Sequence, residues 1–377
     1  MKNIIFTLVL IISFSSYSQD ILLNGTVSTE NNQIKNMANP TDEQDAVTKN
    51  YVHEQFYSQS QVDAIIAGFQ DQINDLNSYV LDLDFSTALT FESQYIYSLG
   101  ATGMIASPAD NSLFISMREN YTERVLKINI DTNNITEKIF DQEDYVTKRL
   151  HIEGNELMVF GGQYVNTYNL DLSGGDPTSI SHGKTLTRFG LTELEGNAYL
   201  IGGGLNEFAE KIYTWNFETE TISDFTSLFQ GLFQGDGTIV DDYLYIFGGT
   251  LTFGDPVPVS TTAYKISIND PSNIETFQIN KAIDVAFAER FENLIYVAGQ
   301  IITADAQGNT TAINPTIGVY DTYENTFEEL STNLTNISGF DTIHQMCIVN
   351  GKMYIIYGTA VNTSVVQQWE VLVSDLN

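Results

Sequence analysis

Four histidines, His53, His151, His182 and His344, and one cysteine, Cys347, make up the soft-ligand and proton-shuttling inventory of this 377-residue chain. His344 and Cys347 stand three apart in a stretch patterned as a strand. Side chains alternate there, which sends the two to opposite faces and keeps them from readily sharing an ion. No Gly-x-Ser-x-Gly elbow offers a nucleophile, and His182 has no Ser and Asp partners at a recognisable spacing. Carboxylates are plentiful, for example Asp141, Glu143 and Asp144, and a pair of them could cleave a glycosidic bond. With 48 acidic residues on the chain, such neighbours describe a solvated loop before they describe a catalytic pair, and no catalytic or metal-binding residue is assigned.

The second pattern able to do chemistry is a glycine pair closing an apolar run, as in LMVFGG at 157–162. Such a pair either cradles a phosphate or ends a strand. No Gly-Lys-Ser/Thr follows any pair and no Gly-x-Gly-x-x-Gly opens a helix, which argues against nucleotide binding. The run instead recurs as AYLIGGG (198–204), LYIFGG (244–249), LIYVAG (294–299) and MYIIYG (353–358), with LFISM (113–117) in the same slot without glycine. Each copy follows a short turn of acidic, Asn or Gly residues, at 108–111, 153–155, 195–197, 241–242, 292–293 and 350–351, which reads as a tight β-hairpin. Each precedes a further strand, and VLKINIDTNNI (125–135), IYTWNFETETI (212–222) and IGVYDTYENTF (317–327) run on through a turn into another.

Repeats about 41 to 59 residues apart, each with roughly four short strands, are the sign of a β-propeller, and the six copies predict six blades. On this reading the glycines turn the inner end of the second strand, where a Cβ would strike the neighbouring chain. The last blade runs out after VLVSDLN one strand short, so the segment from Asp84 to Glu92 is predicted to complete it and close the ring.

Apolar runs ended by Gly-Gly, with a Tyr and later a Trp or its equivalent, make residues 81–377 resemble the kelch family, which implies an all-β, six-bladed propeller. Gly202-Gly203 and Gly248-Gly249 fit that pattern. Met117, Ala298-Gly299 and Tyr357-Gly358 depart from it, and Ile222 and Phe327 stand where the family usually has Trp. Residues 34–52, IKNMANPTDEQDAVTKNYV, resemble a motif at the bases of phage tail fibres and in some bacterial surface proteins, which implies a trimeric stalk. Thr41 or Asp42 can cap a helix after Pro40.

Beyond it, Val62, Ile66, Phe69, Ile73, Leu76 and Val80 alternate four and three apart as a heptad seam. A helix of this length is marginal alone, so the seam requires a partner, either another copy of the chain or the propeller itself. The expected layout is a secretory signal at 1–19, an extended segment at 20–43, a helical, coiled-coil-like stalk at 44–80 and the propeller at 81–377.

The first residues carry one lysine, an apolar run from Ile4 to Phe14 and small polar residues around Ser15, Ser16 and Ser18, the order of a secretory signal. The run is shorter than the roughly 20 residues that span a bilayer, so no membrane span is expected in the mature chain. A lone cysteine leaves an exported chain without an intramolecular disulfide, and 42% hydrophobic residues supply the core instead. A formal charge of −32 repels nucleic acid and anionic headgroups. No cofactor is expected, calcium at an acidic loop being the one the composition allows.

These features point to a secreted or surface-displayed, non-enzymatic binding or adhesion module for a glycan or protein ligand. The alternative is a carbohydrate-active hydrolase or lyase on the same scaffold, since folds do not select function. Ligand binding is expected on the face of the connections leaving the second strands, where 250–262 and 300–316 look like long irregular loops. Arg118, Tyr121, Arg124, Phe208 and Phe253 are the candidate ligand contacts, arginine for directional hydrogen bonds and the aromatic rings for stacking.

Overall fold

The structure, a computed structural model, describes residues 58–82, 88–97, 100–119, 122–140, 148–203, 210–250, 259–305, 310–336, 342–359 and 368–376. The chain divides into two units, 1–83 and 84–377. In the first, helix α1 (Gln59–Asp82) starts behind Ser58. The Gln61 amide faces the Ser58 hydroxyl at 3.4 Å, and the Ser58 amide donates to Gln61 Oε1 at 2.8 Å. This reciprocal cap satisfies donors that the first helical turn leaves open. Along the expected seam Val62 is half-buried, while Ile66 and Phe69 are 59% and 60% exposed, and Ile65 beside them is exposed as well. The side chains of Ile73, Leu76 and Val80, together with the signal, the tail-fibre-like motif and His53, lie outside the described residues.

The second unit begins with β1 (Ala88–Leu89) and β2 (Glu92–Tyr97) and continues as six successive sheets. Blade 1 is β3 (Gly100–Ser107), β4 (Ser112–Glu119), β5 (Thr122–Asn129) and β6 (Ile135–Phe140). Blade 2 is β7 (Arg149–Glu153), β8 (Glu156–Asn169) and β9 (Thr178–Leu186). Blade 3 is β10 (Gly190–Leu194), β11 (Asn197–Ile201), β12 (Lys211–Asn216) and β13 (Thr221–Ser227). Blade 4 is β14 (Asp236–Val240), β15 (Tyr243–Phe247), β16 (Thr262–Ser267) and β17 (Ile274–Gln278). Blade 5 is β18 (Asp284–Phe291), β19 (Leu294–Ala304), β20 (Thr310–Asp321) and β21 (Thr326–Glu329), followed by the short β22 (Ser331–Thr332). Blade 6 is β23 (Thr342–Val349), β24 (Lys352–Thr359) and β25 (Gln368–Asp375), completed by β2 in the order β2-β25-β24-β23. The first strands face one another around an axis, β3 touching β7 and β23, β10 touching β14, and β18 touching both β14 and β23. Apolar clusters fill the spaces between blades, such as Phe160 of blade 2 with Phe189, Leu200 and Trp215 of blade 3. The chain is therefore a six-bladed β-propeller.

Blade 2 shows three strands only because β8 does not break. Straight, a strand of its length would span about 45 Å. Yet the Leu170 amide donates to Asn155 O at 2.8 Å across its two ends, so β8 doubles back near Gly162 and fills both middle positions of the blade. The first hairpin of every blade turns on a left-handed residue: Asn111, Gly154, Glu195, Asp241, Glu292 or Asn350. In blades 3 and 6 the pairs Glu195-Gly196 and Asn350-Gly351 are both left-handed, as the tightest hairpin turns require.

Two expectations change. The sixth blade is closed by Glu92–Tyr97, with Tyr97 opposite Trp369, and not by the segment starting at Asp84. Residues before it are engaged differently: β1 pairs in parallel with β22, and the Asn333 side chain brackets Phe91, accepting from its amide at 2.8 Å and donating to its carbonyl at 3.0 Å. Leu89 and Phe91 are buried in the apolar cluster shared with Phe287, Leu294 and Leu330, which fixes them ahead of the closing strand. The connection 300–316 is also no irregular loop. β19 and β20 stay paired from Gln300 opposite Pro315 to Ala304 opposite Thr310, because Ile301, Ile302, Thr303, Thr311 and Ile313 are β-branched residues that favour the pleated backbone.

Candidate functional site

The register of the first hairpins defines equivalent positions on the six inner strands. Gly103, Arg149, Gly190, Asp236, Phe287 and Gln345 each lie four residues before the end of their strand, opposite Ser116, Phe160, Ile201, Phe247, Ala298 and Ile356. They form one level around the axis. Arg149 is its hub: Nε donates to Phe189 O at 2.7 Å, Nη1 donates to Gln345 Oε1 at 3.0 Å, and Nη2 lies 3.5 Å from Asp236 Oδ2. The guanidinium carbon sits 5.0 Å from the Phe287 ring centre. One side chain of blade 2 thus touches blades 3, 4, 5 and 6 and fills the axis at that level, with the planar fork that suits arginine to the task.

The neighbours accommodate it. A Cβ on Gly190 would collide with Asp236 Oδ1, which accepts from the Leu191 and Gly237 amides at 3.1 and 2.9 Å. Burial raises the Asp236 carboxyl, opposed by Arg149 and by these amides. Two residues along its strand from Phe287, Glu289 is pushed up to about 8 by burial and by Asp236, against Arg149. Cys347 is buried, its thiol raised by burial and by Glu289. With its donors directed at fixed acceptors, Arg149 clamps the ring.

Inner strands run from the face carrying the second-to-third-strand connections toward the face of the first hairpins, so residues just before the ring line the axis mouth on the former face. Arg188, Gln234 and Val285 there all have left-handed backbone, with φ of 53°, 67° and 50°. For a β-branched valine this is a strained conformation. The Gln234 amide donates to Arg188 O and the Ala286 amide to Gln234 O, both at 2.9 Å, linking blades 3, 4 and 5 around the axis. Arg188 is exposed, its guanidinium 5.2 Å from the Phe233 ring centre and Nη1 3.5 Å from Gln234 Oε1. Asp284 is only 5% exposed; its Oδ2 accepts from Gln300 Nε2 at 2.9 Å and its Oδ1 has no partner. Burial raises this carboxyl, with Gln300, the Val285 amide and Arg188 opposing.

Of the residues expected to contact a ligand, Arg118 and Arg124 lie among the described residues, on the adjacent strands β4 and β5. Arg118 lies in β4 opposite Glu123. Arg124, in β5, is held by Glu137 of β6 at 2.6 Å, which makes it one half of an ion pair within the blade. Tyr121, Phe208 and Phe253 lie outside the described residues, as do Asp141, Glu143 and Asp144. The other histidines are packed into blades. His151 stacks on Phe217 at 4.5 Å, with burial lowering its pKa against Glu153 and Glu193. His182 Nδ1 accepts from the Lys184 amide at 3.2 Å and burial lowers it to about 4, while His344, beside Trp369, is lowered by burial to about 3.

A small cavity of about 120 Å³ lies against Lys138, Glu156, Asn169 and Asp176. Its one ammonium is already engaged, because Lys138 Nζ donates to Gly174 O and, at 2.8 Å, to Gly175 O.

The mouth residues escaped sequence reasoning because no periodicity singles out Arg188 or Asp284. The available signal was the alignment of RFG (188–190) with QGD (234–236) immediately before inner strands. No protein-family model matches the chain, and no curated protein matches its sequence.

Proposed function

We propose that the chain is a secreted or surface-displayed, kelch-like propeller that binds a glycan or protein ligand without transforming it, and that it is presented on a helical stalk which associates with further copies, three in all. The observation that carries the binding role is the unevenness of one face. Blade 4 has a second strand of 5 residues and a third of 6, whereas in blade 5 the equivalents have 11 and 12. At about 3.3 Å per residue the blade 5 hairpin rises roughly 20 Å further, a wall beside the axis mouth. Irregular features on one side of a rigid scaffold are where recognition concentrates. The stalk reading draws on the exposed Ile65, Ile66 and Phe69 of α1, apolar side chains that gain from burial against like helices. Three copies would add avidity to a weak single site. No helix among the described residues is long and apolar enough to cross a membrane.

The test is a screen of the full chain against immobilised glycans and extracellular proteins, followed by an assay of any bound glycan for cleavage. Binding without turnover is expected. Turnover would replace this reading with the hydrolase or lyase alternative, and silence in both arms of the screen would remove it.

A further inference from the structure

We infer that the axis mouth bounded by Arg188, Gln234, Asp284 and Gln300 is a subsite for a neutral sugar, in which adjacent hydroxyls of one ring engage the Asp284 carboxylate and the Arg188 guanidinium. This inference rests on the binding role proposed above and names its site and ligand class.

Four independent features converge there. Asp284 is more than nine-tenths buried and keeps Oδ1 without a partner, although its other oxygen is held by Gln300. A buried acceptor left open is uncommon in a folded chain, and a hydroxyl donor is the group that completes it. Arg188 comes from another blade and acts electrostatically on that carboxyl. Its guanidinium carbon stands 5.2 Å from the Phe233 ring centre and the residue is exposed, so it keeps donors open to solvent. The backbone beneath is strained at Val285, and strain retained in a rigid ring calls for a role. Finally, the connection leading to Gln234 carries Phe229, 72% exposed, an apolar ring of the kind that stacks on a sugar face.

The chemistry of the site selects the ligand class. Arg188 brings donors and Asp284 an acceptor to the same mouth, a combination that matches hydroxyls, each of which both donates and accepts. Acidic sugars would meet Arg188 favourably but would approach a chain of formal charge −32 and the Asp284 carboxylate itself, so neutral sugars are favoured. The β19–β20 hairpin begins its extension at Gln300, directly beside the Asp284 contact, and bounds the subsite on the blade 5 side.

Isothermal titration of the full chain with cellobiose, mannobiose, galactobiose and diacetylchitobiose, and with digalacturonate as the acidic counterpart, tests the assignment. One or more neutral disaccharides should bind. Asp284→Asn and Arg188→Ala should each weaken that binding by about tenfold or more, and Phe229→Ala by a smaller factor, with melting temperatures close to the parent. Arg188 and Phe229 are exposed, so their variants remain informative should Asp284→Asn fail to fold. Neutral-sugar binding that survives Arg188→Ala and Asp284→Asn unchanged would move the site elsewhere and leave the binding role standing. Preference for digalacturonate would overturn the neutral class. Binding of none of these sugars would overturn the subsite, leaving the binding role to the protein arm of the earlier screen.

Discussion

Blades 2 and 4 carry nearly the same words, VFGGQ at 159–163 and IFGGT at 246–250, and use them for different ends. In blade 4 both glycines are left-handed, at φ 64° and 93°. A Cβ on Gly248 would stand 2.6 Å from the Ala286 Cβ and 2.7 Å from Ile283 O of the next blade, and one on Gly249 would stand 2.9 Å from the Gly235 amide nitrogen. In blade 2 only Gly162 is left-handed. What a Cβ on Gly161 would meet is the side chain of Lys148, 2.5 Å away at Cδ, which runs toward Glu123 of blade 1. Blade 4 spends the pair on backbone packing; blade 2 spends one glycine on a turn and the other on room for a buried lysine. The two blades also face each other electrostatically, since blade 2 supplies Arg149 and blade 4 supplies Asp236.

The strongest way to break this comparison is at the axis. Arg149→Met should destabilise by about 3–5 kcal/mol, the usual loss when one partner of a buried pair is removed, because Asp236, Gln345 and Phe189 O lose their donor together. Denaturant unfolding measures it, and a loss below about 1 kcal/mol would mean that Arg149 is no clamp.

Next comes Gly248→Ala, expected to cost about 2–4 kcal/mol from left-handed strain plus overpacking against backbone that has no room to yield.

The third effect is a slope. Glu289 is raised to about 8 in the folded ring, so the folded state holds a proton that the unfolded chain releases near its ordinary pKa. Stability from this group is full at low pH and is lost as pH rises from about 4.5 through about 8. Melting temperature should fall over that window, and Glu289→Gln should flatten the fall; an unchanged slope would show that Glu289 is ionised in the ring.

The smallest effect is Gly161→Ala, expected within about 1 kcal/mol of the parent, because only the end of a flexible side chain must move and the unfolded chain loses freedom. A loss as large as that of Gly248→Ala would erase the distinction between the two pairs.

What could be read from sequence follows the range of the interactions involved. The six blades were legible because Asp241-Asp242 or Asn350-Gly351 sets its hairpin locally and the adjoining apolar run sets the strand. The closing strand was placed too early because its partner, β25, lies at the other end of the chain, and nothing near Glu92 announces that pairing. Arg149 carried no signal, since its partners come from four other blades. The ion pair of Arg124 carried no signal either, because Glu137 belongs to the following strand, thirteen residues on. The long β19–β20 hairpin was hidden by its length: a turn-rich composition around Asp305 and Gln307 read as loop, while the β-branched flanks decided the backbone.

The joining of β2 to β25 has a consequence in time. Tyr97 and Trp369 are opposite each other across the seam of the ring. They are roughly 270 residues apart along the chain, and at about 5–20 residues per second a ribosome needs about 15–50 s to make the second after the first. During that interval five blades can form while β2 lacks its partner β25. The arc then ends in an uncovered apolar flank, the surface on which a half-made chain would meet another. Here the bracket of Asn333 on Phe91 changes the sequence of events, because β22 and Asn333 are synthesised before β23, β24 and β25. The opening strand can be captured beside blade 5 and held in waiting, so that the final strands assemble onto a partner already at its post.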